Sequence, residues 1–90
     1  MWEYENASIK KLIKTTHCDL MVGVDVNDKV FVHLENCWLT GNDGFLHGSS
    51  GRGDTLSQAI SDYLRLFEDK PILVVNPNTD KERRIEVLIL

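Results

Sequence analysis

Six consecutive residues, Gly48-Ser49-Ser50-Gly51-Arg52-Gly53, are the first place in this chain where chemistry could be sought. Glycines let a backbone turn its N–H groups inward. This segment also leads straight into a helical pattern, whose unpaired amides and dipole favour an anion. A phosphate or small nucleotide is the ligand such a cradle would take, with Arg52 as its cation. Two features weigh the other way. The Lys-Ser/Thr ending of a P-loop is missing, and Asp54 already offers a carboxylate to the same amides. A flexible loop feeding a capped helix is the plainer reading.

Nucleophiles are few. Cys18 and Cys37 have no CxxC spacing and read as two free thiols of a reducing compartment. Either would need His17, His33 or His47 as a base, yet no Gly-flanked elbow or third orienting residue accompanies them. The histidines lack HxH or HxxxH spacing for a metal. Asp62, Glu68 and Asp69 read as a solvated helix face. The sequence therefore points to no catalytic residue, no metal and no cofactor, and to a protein that is not an enzyme.

What remains is apolar. Phe31, Leu39, Leu66, Leu88 and Leu90 fall off the stripes and faces expected to be buried, and His33 stands beside Phe31 on the sheet face away from the valines. Clustered, they would form an interface for a second copy or a partner protein. Scattered surface leucines are the ordinary alternative.

The elements that must position these residues follow from periodicity. Ile9, Leu12 and Ile13 share one helical stripe, with Lys10, Lys11 and Lys14 facing outward, and Thr15-Thr16-His17 ends that helix. From Cys18 the period becomes two. A three-residue loop Asn27-Asp28-Lys29 would set Val26 against Val30, Val24 against Val32 and Val22 against Leu34, so that every valine shares a face. The second strand should run on to Thr40, turn through Gly41-Asn42-Asp43-Gly44, and return as a short Phe45–His47 strand.

Thr55 with Gln58 makes a capping box for a second helix, whose buried stripe is Leu56, Ala59, Ile60, Tyr63, Leu64 and Phe67. Pro71–Val75 and Arg84–Leu90 read as two last strands around an Asn76–Asp80 turn. The order is α-β-β-β-α-β-β, an α+β fold with two helices laid on an antiparallel sheet.

Size and charge bound the rest. Ninety residues with 42 % apolar content fit one small domain, 1–90, with one compact core. Ten Lys+Arg against 14 Asp+Glu leave a net charge of −4, which argues against nucleic-acid binding as the main task. No apolar run approaches a membrane span, and Met1-Trp2-Glu3-Tyr4-Glu5 is unlike a signal peptide, so a cytoplasmic location is expected. A chain this short buries a modest core, so a homo-oligomer covering leftover apolar surface is expected as well.

Three stretches carry a resemblance: Gly53-Asp54-Thr55-Leu56-Ser57-Gln58-Ala59-Ile60-Ser61-Asp62-Tyr63, Lys70-Pro71-Ile72-Leu73-Val74 and Arg83-Arg84-Ile85-Glu86-Val87. Together, over about half the chain, they resemble a group of small phage and prophage proteins of unassigned function. The resemblance implies an accessory gene product in the cytoplasm of a bacterial host. It would act by binding, as a host-takeover or anti-defence factor, on a host protein or a small nucleotide. The run from Gly51 to Ala59 is also similar to the β-β-β-α unit of HicB-type antitoxins, which implies a module that masks a partner toxin. Their DNA-binding segment has no counterpart in this sequence, so operator binding is not implied.

Overall fold

A computed structural model describes residues 7–41, 45–48, 50–69 and 72–86. The first element, α1 (Ala7–Thr16), buries Ile9, Leu12 and Thr16 and leaves its lysines exposed. Its end is chemically marked. The Thr16 hydroxyl donates to the Leu12 carbonyl at 2.8 Å, and His17 takes a left-handed φ of 58°, returning its N–H to Ile13 O.

The hairpin β1 (Leu20–Val24) and β2 (Val30–Leu34) pairs Leu20 with Leu34, Val22 with Val32 and Val24 with Val30. The valine face expected from alternation is therefore present, but the register is not the expected one. The loop is three residues long, as anticipated, but it lies one position earlier, at Val26-Asn27-Asp28. Asp25 decides this. Its N–H donates to Lys29 O, and its carboxylate accepts the N–H groups of Asn27 at 2.8 Å and Lys29 at 3.1 Å. Those two amide bonds hold the Asp25 carboxyl below its ordinary pKa. Asp28, at φ 60°, closes the turn. Val26 is consequently 97 % exposed instead of facing Val30.

After Leu34 the chain does not continue as one flat strand. Glu35 still bonds Asp19 O, in step with the hairpin, whereas Asn36 sits at φ 54° and its carbonyl accepts the N–H of Asn76. That one left-handed residue changes both the neighbour and the phase of the strand. Even-numbered residues face the core in β2, and odd-numbered ones face it in β3 (Cys37–Thr40). Leu39 is therefore 1 % exposed, inside the core and not on the outer face where unbroken alternation would put it.

Five strands were expected, and the described residues form seven. β4 (Leu46–His47) pairs with β3 as anticipated. The end of the glycine segment, read as a loop, is instead a strand, β5 (Gly51–Gly53), hydrogen-bonded to β2. α2 (Leu56–Asp69) follows, then β6 (Ile72–Val75) and β7 (Arg83–Glu86), joined through left-handed Asn76 and Asn78. The result is an α+β fold with two antiparallel sheets, ordered β1-β2-β5 and β4-β3-β6-β7, sharing the bent 30–40 segment.

α2 lies on the first sheet with its whole expected stripe turned inward. Ala59, Ile60, Tyr63, Leu64 and Phe67 are buried, and Tyr63 meets Phe67 edge-on with ring centroids 5.2 Å apart. The Thr55 hydroxyl accepts the Gln58 N–H as the expected capping box requires, while Gln58 Oε1 reaches one residue further back and accepts the Asp54 N–H. Leu66, expected outside, is half-buried against the edge of this core. Leu88, with Leu90, lies outside the described residues. No helix among them is long and apolar enough to cross a membrane.

Candidate functional site: the outer face of the four-stranded sheet

The glycine segment is engaged largely by the fold itself. A Cβ on Gly51 would stand 2.2 Å from Ala59 O and 2.4 Å from Tyr63 N, and one on Gly53 would stand 2.5 Å from the Gln58 Cβ. α2 thus rests directly on the β5 backbone, which only glycine permits. The Arg52 N–H donates to Asp62 Oδ2 at 2.9 Å, and its guanidinium pairs with Asp25 at 3.2 Å. Lys29 pairs with Asp54. Four charges therefore link the hairpin loop to the start of α2.

The other described glycine-segment residues lie elsewhere. Gly48 and Ser50 line an open cleft of about 350 Å³ with His33, Leu34, Asn36, Cys37 and Trp38, at the junction of the two sheets. Ser49 lies outside the described residues. The six positions therefore do not converge on one cradle: 48 and 50 face the cleft, while 51 to 53 carry the helix. Of the expected interface residues, His33 reaches the cleft, whereas Phe31 lies over Gly23, whose added Cβ would fall 2.4 Å from the ring.

The phase change at Asn36 builds a surface that simple alternation hides. Across the second sheet, Trp38 opposes Val74, which opposes Arg84; Leu46 opposes Thr40, and Ile72 opposes Glu86. All these residues share the face away from the core. Trp38 and Ile72 are 41 % and 38 % exposed, Val74 between them is fully buried, and Phe45 beside β4 is exposed. The Trp38 ring leans on Gly48, where an added Cβ would come within 3.2 Å of it. Sequence reasoning missed Trp38 and Ile72. The signal that could have found them is Asn36, a residue type that tolerates left-handed backbone and so can shift strand phase.

On the core side, titratable groups gather under the bend. Tyr63, 1 % exposed, accepts the Leu34 N–H at 3.1 Å, and burial pushes its hydroxyl up to about 12. Burial, reinforced by the neighbouring Cys18, likewise pushes the Cys37 thiol up to about 12. Both groups ionise more readily in the unfolded chain, so stability should fall as pH rises from about 9, where free Cys37 begins to ionise, to about 12. Holding a group protonated above its free pKa costs about 1.4 kcal/mol for each pH unit, so the loss should be a large part of a small domain's stability. Urea midpoints measured along this range check it, and a flat profile would contradict the burial of both groups.

Among the described residues no group of three or more His, Cys, Asp or Glu side chains could hold a metal ion. The exposed tryptophan and isoleucine offer contact area and the cleft beside them offers shape, so this arrangement suits recognition. Comparison with family models, with curated proteins and with solved structures finds no match to the chain.

Proposed function

We propose that this chain is a non-enzymatic binding protein of the phage accessory kind, which engages a host protein in the bacterial cytoplasm through the outer face of its four-stranded sheet. The observation that carries this reading is exposed Trp38 standing opposite buried Val74, with exposed Ile72 two residues along on the same strand as Val74 and on the same face. Tryptophan is enriched among the few residues that dominate interface energetics, and the flanking Arg84 and Glu86 supply a polar rim. A protein partner is favoured over a nucleotide because Arg52, the cation a phosphate would need, already pairs with Asp25 and gives its N–H to Asp62.

One observation favours a second reading, a HicB-like antitoxin module. The strands β1, β2 and β5 with α2 make a β-β-β-α unit in space, entered through Gly51 to Ala59. Affinity capture from a bacterial lysate, with wild type beside Trp38→Ser/Ile72→Ser, tests both. The variant should retain a specific partner about tenfold less well. A small basic toxin as that partner would select the antitoxin reading, and a second copy of the chain would make the face a dimer surface. The same proteins on both baits in equal amount would contradict a binding role for the face.

A further inference from the structure

Cys18 lies just beyond the end of α1, and its thiol donates to the Thr16 carbonyl at 3.5 Å. The same carbonyl accepts the Arg83 guanidinium at 2.7 Å, and Arg83 stands in register through Val75 with Cys37. Cys18 packs against the core cluster that contains Cys37, so the two thiols are neighbours in this nook, and both are free. Cys18 is half-buried and Cys37 is 8 % exposed, so one thiol of the pair is open to a reagent and the other is sheltered. Cys37 also lines the cleft at the sheet junction, and it faces the core, not the outer face that carries Trp38.

We propose that Cys18 and Cys37 are a redox modification site, a dithiol that a small disulfide of the glutathione class oxidises to an 18–37 disulfide within one chain. Cys18 as thiolate attacks one sulfur of the small disulfide, whose S–S bond breaks and releases the first thiolate. The Cys37 sulfur then attacks Cys18 Sγ, and the second small thiolate leaves and takes up the Cys37 proton. The protein is oxidised by two electrons and one small disulfide is reduced to two thiols. Burial of Cys37 fits this order, since a sheltered thiol held protonated is a poor first attacker but is well placed to resolve the mixed disulfide. The bond would tie the exit of α1 to β3, the strand that carries Trp38.

Equilibration of the wild-type chain in oxidised and reduced glutathione, once folded and once in urea, tests the proposal without any variant. Acid-quenched samples are digested with trypsin, and the disulfide is read as a link between peptides 15–29 and 30–52. The folded chain should form the intramolecular bond with an effective thiol concentration about 100-fold higher than the unfolded chain, as expected for a disulfide that closes a loop of this size without strain. An effective concentration no higher folded than unfolded would overturn the proposal. So would a folded product that stops at glutathione on Cys18.

Discussion

Replacing Gly51 with alanine should destabilise the protein by about 3 kcal/mol or more, a large share of the roughly 5–15 kcal/mol that holds a small domain together. The sign is the informative part. Gly51 has no left-handed φ, and in an unconstrained strand alanine for glycine stabilises by about 0.4–1 kcal/mol through the unfolded state. Here the new methyl group would lie 2.2 Å from Ala59 O and 2.4 Å from Tyr63 N. Those atoms belong to a helical backbone, so relief requires α2 to lift from the sheet and loosen the buried stripe from Ala59 to Phe67. Gly48→Ala provides the scale: its nearest neighbour is an atom of the Trp38 ring at 3.2 Å, which can shift. Urea unfolding of the two variants should separate them widely, and a Gly51→Ala midpoint equal to wild type would mean that α2 does not rest on β5.

The contact also explains which parts of the fold the sequence made legible. α2 was readable because its stripe repeats at the helical period and its capping box lies within four residues, all local information. The α+β class followed from the same kind of signal. Gly51-Arg52-Gly53 was not readable as a strand, because glycines carry no side-chain alternation and their reason for being there is a helix that arrives later in the chain. The hairpin gave up its loop length but not its register, since Asp25, an acceptor for two loop amides, pulls the turn forward by one residue. Its valine face survived the error because the register moved by an even number of residues.

The site was less legible than the fold, and for one reason. A strand extrapolated from Val30, Val32 and Leu34 puts Leu39 outside and Trp38 inside. The left-handed Asn36 reverses that order and hands the second half of the segment to β6. Alternation is a reliable guide only while the backbone stays extended, and a single asparagine ends its authority. Phe31 and His33, which precede Asn36, do lie on the expected face. That Cys18 and Cys37 are neighbours was not legible, because it depends on where α1 ends and β3 begins, and the second boundary is fixed by a long-range bond from Asn76 to the Asn36 carbonyl.

The functional reading therefore rests on one local fact, that Leu39 is core and Trp38 is exposed on the outer face. Parallel urea unfolding of Leu39→Ala and Trp38→Ala, followed by far-UV circular dichroism, tests it most directly. Leu39 is 1 % exposed in the core cluster, opposite Leu73, so its truncation leaves a cavity and should lower stability by about 2–5 kcal/mol. Trp38 is 41 % exposed on the outer face, with its ring against Gly48, so its truncation should change stability by about 1 kcal/mol or less. The reverse order, with Trp38→Ala the damaging change and Leu39→Ala tolerated, would place the tryptophan in the core and remove the proposed binding face.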